Sequence, residues 1–152
     1  MKISKLTWGV KASFRNYVEG MGGSITLDEG VTRSDDGSFV FTAHPDSDLS
    51  IAMDGSAAGC ARFIGGVTFD AHGGMLNACL RELAVEASDE GLVLTVLEAP
   101  MNDQRCAIAT LSLLDTGVNG SLTLASAITM DGMYQIADNY PPGTELDPLV
   151  LQ

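Results

Sequence analysis

The sequence predicts a mainly β fold, a two-sheet, β-sandwich-like domain with one or two short helices. Many apolar segments have the length of single strands, turn-forming residues separate them at short intervals, and helical spacing is confined to two segments. A chain of 152 residues with 45% hydrophobic and 18% charged residues has the size and composition of one folded domain with its own core. We therefore expect residues 1–152 to form a single domain.

The segment 6–20 is predicted to form the first helix. Apolar residues recur in it at three- and four-residue spacing and therefore share one face: Val10, Phe14, Tyr17 and Val18. Polar residues fall on the other face: Lys11, Arg15 and Asn16. We expect Thr7 to cap the start of this helix and the glycines after Glu19 to end it. Tyr17 then packs its ring inward on the last turn, either as a core tyrosine bonded to a carbonyl or with its hydroxyl reaching a cavity.

The rest of the chain is predicted to be strands joined by turns. The apolar segments of strand length are residues 24–27, 39–43, 61–69, 80–87, 92–97, 105–114 and 121–129. Residues 46–59, rich in Asp, Ser and Gly, predict a loop with an edge strand. Gly65 and Gly66 interrupt one segment, which indicates a bulge or a close approach to the backbone. A short helix at 131–137 and an extended tail at 149–151 complete the prediction.

The charge of the chain limits its partners. The formal net charge of −12 opposes binding to nucleic acid or to an anionic membrane, because both carry negative charge. No apolar run approaches the length of a membrane span, and the N-terminus has no signal-peptide core. We expect a cytoplasmic protein for the sequence as it stands, or a secreted one if a signal peptide has been removed. The oligomeric state is left open.

Few residues carry obvious chemistry. Three scattered cysteines, Cys60, Cys79 and Cys106, favour free thiols in apolar surroundings over a disulfide framework or a zinc site. His44 near two aspartates is more typical of an acidic surface loop than of a metal site. No phosphate-binding loop, dinucleotide fingerprint or nucleophile elbow is present. The groups with reactive potential are Tyr17, His72 and Tyr140.

Three segments of the sequence resemble the HtaA-type haem-binding domain of actinobacterial haem-uptake proteins. Residues 6–17, LTWGVKASFRNY, are similar to the opening of that domain. Residues 66–76, GVTFDAHGGML, are similar to its Val-x-Phe-x-x-His-x-Gly-x-Leu pattern. Residues 140–148, YPPGTELDP, are similar to its Tyr-x-x-Gly-x-x-Leu-Asp-Pro close. The three matches occur in the family's order and span nearly the whole chain.

The resemblance implies a strand-rich, two-sheet fold with a pocket for ferric haem. It assigns the axial iron ligand to Tyr17, a hydrogen bond that supports this ligand to His72, and a further place in the haem site to Tyr140. Tyrosine is an established haem ligand, and partners of a ligand hold it in place and tune its basicity. The sequence departs from the family at Asn139, where an aromatic residue is usual beside the C-terminal tyrosine.

Three functions remain open at this point. The first is a haem-binding protein with tyrosine-ligated ferric haem that stores or delivers haem. The second is a metal-free enzyme of lyase, isomerase or cyclase type, in which Tyr17 and His72 are the acid/base groups and Tyr140 helps to polarise a small molecule. The third is an interaction module whose pocket is filled by side chains.

Overall fold

The computed structural model describes residues 3–89, 91–98, 104–137 and 139–152 and is mainly β, as predicted. The strands are β1 (Lys5–Trp8), β2 (Ser24–Leu27), β3 (Thr32–Arg33), β4 (Phe39–Thr42), β5 (Ser50–Ile51), β6 (Ala57–Ala58), β7 (Cys60–Arg62), β8 (Gly66–Ala71), β9 (Leu76–Arg81), β10 (Ala84–Ser88), β11 (Gly91–Leu97), β12 (Arg105–Thr116), β13 (Leu122–Ile128) and β14 (Glu145–Leu151). The helices are α1 (Ala12–Gly20) and α2 (Met130–Gln135), and a 3-10 turn occupies His72–Gly74.

Among the described strands, nine form one large sheet in the order β3-β4-β1-β14-β13-β12-β11-β10-β7. The strands from β10 to β14 are neighbours in sequence order and form an antiparallel meander, with α2 in the connection between β13 and β14. Register shifts interrupt three of these pairings, and irregularities of this kind bend a strand and increase its twist. Strand β1 lies between β14 and β4, with Leu6 opposite Leu151, so the two ends of the described chain lie side by side.

A long two-stranded ribbon connects the large sheet to a second sheet. Its near half, β7 and β10, belongs to the large sheet, and its far half, β8 and β9, joins β2 in a three-stranded sheet. The ribbon bends at Gly65, with φ of 87°, and at Glu82, with φ of 53°. The predicted strands 61–69 and 80–87 are therefore each divided between two sheets. The close approach predicted near Gly65 is confirmed, because a Cβ at Gly66 would lie 2.4 Å from the carbonyl oxygen of Leu80.

The core lies between the two sheets and α1. The aromatic residues that meet there are Phe14 of α1, Phe39 of β4 and Phe69 of β8. Phe69 has its ring centroid 4.9 Å from that of Phe14 and 5.9 Å from that of Phe39. Six residues of the apolar segments belong to this core with exposures of 1% or less: Phe14, Phe39, Phe41, Phe69, Leu94 and Val96.

The first helix differs from its prediction at the N-terminal end. Residues Lys5–Trp8 form strand β1 instead, so Thr7 pairs in the large sheet and does not cap the helix. Val10 has φ of 64° and stands outside α1, which begins at Ala12. Arg15, which was predicted on the solvent face, is buried. The error arises because the apolar residues before Val10 fit a strand with alternating burial as well as they fit a helix.

The remaining polar candidates have structural partners. Asp46 pairs with Arg62, and the Asp48 carboxylate accepts a hydrogen bond from the Cys60 backbone N–H at 2.9 Å. The three cysteines are free thiols. Within the described residues, no three His, Cys, Asp or Glu side chains are grouped as a metal site, and no helix is long and apolar enough to cross a bilayer.

Candidate functional site

A surface cleft of about 610 Å³ lies where α1, α2 and the turn between β8 and β9 meet. Helix α1 contributes Tyr17, and the turn contributes His72. The residues that line the cleft are Tyr17, His72, Met75, Leu76, Asn77, Met133, Tyr134, Ile136, Ala137 and Asn139. A cleft of this volume is in the range of sites that bind small molecules and cofactors.

The two sequence-predicted residues Tyr17 and His72 are in direct contact. The Tyr17 hydroxyl oxygen lies 2.6 Å from His72 Nε2, and which atom donates the hydrogen bond depends on the histidine tautomer. The ring centroids are 5.6 Å apart. The contact joins α1 to the β8–β9 turn, two elements that are distant in sequence.

Tyr17 is not packed into the core as predicted, since 47% of its surface is exposed. The buried residues of α1 are Phe14, Arg15 and Val18, which form a narrow stripe along the helix. At 3.6 residues per turn, Tyr17 lies on the flank of this stripe and faces the cleft. Its hydroxyl therefore bonds to another side chain at the surface and not to a carbonyl in the core.

The backbone of the β8–β9 turn holds His72 in an unusual conformation. His72, Gly73 and Gly74 have φ angles of 56°, 65° and 97°. Glycine adopts such angles freely, whereas for a residue with a side chain this backbone conformation costs about 1–2 kcal/mol of conformational energy. Histidine is one of the residues enriched in this region, and strained residues of this kind concentrate at functional sites.

Large apolar side chains are exposed around the cleft. Met75 is 91% exposed and Tyr134 is 71% exposed, and both belong to the lining. The described lining contains no Asp, Glu, Lys or Arg, although the chain has a net charge of −12. Exposed apolar surface of this kind is typical of a site that a ligand covers. The cleft therefore offers a ligand both apolar side chains and uncharged polar groups.

Comparisons with known proteins assign the fold to a family. The family model HtaA, described as Htaa, matches residues 4–152. This chain belongs to the HtaA family. A search of curated proteins found no match.

The solved structures with this fold include HtaA domains from Corynebacterium glutamicum. The C-terminal domain of HtaA is 26% identical, with a TM-score of 0.76 over 98% of this chain and 95% of that one. The N-terminal domain of HtaA is 23% identical, with a TM-score of 0.71 over 99% and 97%. The haem-binding protein HtaB of the same organism is 19% identical, with a TM-score of 0.68 over 98% and 91%. The resemblance predicted from the sequence is confirmed.

Tyr140, the third residue that the HtaA resemblance assigned to the site, is not among the residues that line the cleft. Its hydroxyl lies 3.2 Å from the Ser13 hydroxyl, and its ring packs edge-on against Phe14 with centroids 6.2 Å apart. The Lys11 ammonium lies 5.9 Å from the ring centroid. Tyr140 therefore packs against α1, while its neighbour Asn139 reaches the cleft, and its place in a haem site stays a prediction.

The short helix predicted at 131–137 is observed as α2 (Met130–Gln135), but its place as a wall of the cleft was not predicted from the sequence. The Thr129 hydroxyl caps α2 by accepting a hydrogen bond from the Gly132 N–H at 2.9 Å. A Cβ at Gly132 would lie 2.1 Å from the Ile108 carbonyl oxygen, so α2 packs directly on β12. This packing leaves Tyr134 on the outer side, in the cleft. In the sequence, Thr129 as a helix cap and Gly132 as a site of close packing were the features that could have indicated how α2 lies on the sheet.

Proposed function

We propose that this domain binds haem in the cleft, with the Tyr17 phenolate as axial ligand of ferric iron and His72 hydrogen-bonded to the phenolate oxygen. The observation that carries the proposal is the 2.6 Å contact between the Tyr17 hydroxyl and His72 Nε2. A phenolate is a hard anionic donor, and tyrosine is an established ligand of haem iron. A histidine bonded to such a ligand fixes its orientation and tunes its basicity.

The chemistry of the two residues is consistent with this role. Free tyrosine has a pKa of about 10, so ligation at neutral pH requires the phenol to lose its proton. The imidazole of His72 lies within hydrogen-bond distance of the oxygen that loses this proton. A neutral imidazole accepts through one nitrogen and donates through the other, and the tautomer sets which is available to Tyr17.

The rest of the cleft supports the choice of a flat, apolar ligand. Met75, Met133 and Tyr134 provide polarizable and aromatic surface, which suits contact with the faces of a macrocycle. The glycines at 73 and 74 leave open space beside His72. One solved relative of the same fold is described as haem-binding, and we extend that ligand to this chain as part of the proposal.

We further propose that the domain stores or delivers haem. Met75 and Tyr134 are largely exposed beside the cleft, so a ligand there has an edge open to solvent. The buried core lies behind the cleft, and a ligand can therefore enter and leave while the two sheets stay packed. A carrier needs such access, because its ligand must be exchanged with another molecule.

Hemin titration of the wild type and of Tyr17→Phe tests the proposal. The substitution removes one hydroxyl oxygen and keeps the ring, so we expect loss of the phenolate-to-iron charge-transfer band and weaker hemin binding. Tyr134→Phe is the matched control, since it removes a hydroxyl from the other tyrosine of the same cleft, and should keep the band. Equal affinity and equal spectra in wild type and Tyr17→Phe would overturn the proposal.

A metal-free enzyme is the second candidate function, and the same pair of residues favours it. A phenol hydrogen-bonded to an imidazole is an acid/base unit that can move a proton to or from a small molecule in the cleft. In this function the exposed Tyr17 and His72 would both contact the substrate.

A further inference from the structure

The helix that carries Tyr17 has no cap from its own sequence. Lys11 occupies the N-cap position and makes no side-chain capping hydrogen bond. The Asp147 carboxylate on β14 takes this place, because its Oδ1 accepts the Ala12 N–H at 3.1 Å. A carboxylate at a helix N-terminus satisfies a free N–H and interacts favourably with the helix dipole. The start of α1 is thereby attached to the large sheet.

The same carboxylate also binds a cation of this helix. Arg15 Nη1 lies 2.7 Å from Asp147 Oδ2 and donates to the Gly9 carbonyl oxygen at 2.6 Å. The Arg15 side chain is 9% exposed, so removing the Asp147 carboxylate would leave a buried guanidinium with hydrogen bonds to backbone carbonyls and no ion-pair partner at this position. The site leaves no room for a side chain at Gly9, where a Cβ would lie 2.2 Å from Arg15 Nη1.

Asp147 is itself fixed through its backbone. Its N–H donates to the Val10 carbonyl at 2.9 Å. Its carbonyl oxygen accepts hydrogen bonds from Trp8 Nε1 at 2.8 Å and from the Ser126 hydroxyl at 2.7 Å. Residues of β1 and β13 and the segment after β1 thus fix the backbone of Asp147 in β14, and the Asp147 carboxylate in turn binds α1. The first and last segments that resemble the family meet at this point.

We propose that the Arg15–Asp147 ion pair is the positioning element that sets the Tyr17 hydroxyl against His72. Tyr17 follows Arg15 by two residues on the same short helix, and its exposed side chain depends on the orientation of α1 for its place. The hydrogen bond of 2.6 Å weakens if the helix rotates or shifts, because hydrogen bonds are steep in distance and angle. Neither Arg15 nor Asp147 lines the cleft, so both act through the helix. The inference rests on the proposed role of Tyr17.

Two substitutions remove the charge on either side of the pair. Asp147→Asn keeps a side-chain oxygen for the Ala12 N–H and removes the negative charge. Arg15→Met keeps most of the length of the side chain and removes the positive charge, and Arg15→Lys returns a cation. Glu19→Gln is the matched control, since Glu19 belongs to the same helix and its carboxylate forms an exposed ion pair with Arg33 at 2.9 Å.

The first readout needs no haem. NMR signals of the His72 imidazole report its hydrogen bond to Tyr17, and they should change in Asp147→Asn and Arg15→Met. The second readout is the hemin dissociation rate at a temperature where each variant is folded. We expect it to rise about 10- to 100-fold, the usual cost of losing a residue that orients a ligand. Arg15→Lys should recover part of both effects, and Glu19→Gln should resemble the wild type.

The outcomes separate this inference from the proposed function. Unchanged imidazole signals and hemin dissociation in folded Asp147→Asn, even with a lower melting temperature, would show a purely structural ion pair and overturn the inference. Changed imidazole signals in a protein whose wild type does not bind hemin would support the positioning role and overturn the proposed function alone. If Arg15→Met does not fold, Asp147→Asn and Arg15→Lys provide the same comparison.

Discussion

The hydrogen bond between Tyr17 and His72 joins two exposed side chains, so its contribution to folding is small. Water competes for both groups, and a typical net gain is about 0.5–1.5 kcal/mol. The left-handed backbone of His72, with φ of 56°, costs a comparable amount. Stability therefore does not account for this pair. The proposed ligand at the phenol oxygen would give the pair a role, because His72 would then act on the oxygen that binds the ligand.

The His72→Ala variant tests whether His72 supports the Tyr17 oxygen as a ligand. If haem is the ligand, the variant should lose haem about 10- to 100-fold faster while the iron stays bound to tyrosine, because His72 supports the ligand without replacing it. The measurement is the rate of hemin transfer to an excess of an apo acceptor protein, with the charge-transfer band recorded in parallel.

Asn77→Ala is the control for His72→Ala, since Asn77 also lines the cleft. Its dissociation rate should stay within a few-fold of the wild type. A dissociation rate in His72→Ala equal to that of the wild type would favour the metal-free enzyme, in which His72 acts on a substrate and not on a ligand of iron.

The sequence located Tyr17 and His72 through a family resemblance, not through periodicity. Helical spacing alone placed Tyr17 in the core, and a histidine in a glycine turn is ordinarily a surface residue. Arg15 was placed on the polar face of the predicted helix, with Lys11 and Asn16, because of its helical spacing. Its burial depends on Asp147, a partner far along the chain, and no local pattern predicts such a pairing.

At the scale of elements, the bent ribbon from β7 to β10 determines where His72 lies. The alternation of apolar residues predicted the strands but not their division between two sheets, because the same pattern continues through each bend. The bend depends on backbone geometry at Gly65 and Glu82. Only the glycine pair at 65–66 indicated it in the sequence.

Gly66→Ala should destabilise the ribbon. Its Cβ would lie 2.4 Å from the Leu80 carbonyl oxygen and 2.5 Å from Arg81 Cγ, so the backbone must move to make room. Overpacking of this kind costs about 1–3 kcal/mol. Gly20→Ala is the control, because nothing lies within 4 Å of a Cβ there. Urea unfolding of both variants measures the free energies, and an equal midpoint for Gly66→Ala and Gly20→Ala would contradict the close approach of the two strands at Gly66.

The whole molecule places its cleft at the edge of its core. The two sheets and α1 enclose a set of buried apolar residues, and one of them, Ile136, also lines the cleft, where the largest exposed side chains are Met75 and Tyr134. The architecture was predictable because it follows from apolar segments and turns, which are local in sequence. The cleft was only partly predictable, since α2 and the β8–β9 turn come together through tertiary packing alone.

Phe41→Ala tests the core that supports this arrangement. Phe41 is 0% exposed in β4, where it lies opposite Leu6 of β1. Truncating a buried phenylalanine removes apolar contact and leaves a cavity, at a cost of about 3–5 kcal/mol out of the ~5–15 kcal/mol typical of a domain. The urea midpoint should fall strongly, while Val118→Ala, at a fully exposed position, should change the free energy of unfolding by less than about 0.5 kcal/mol. A wild-type midpoint for Phe41→Ala would mean that β4 turns its other face to the core.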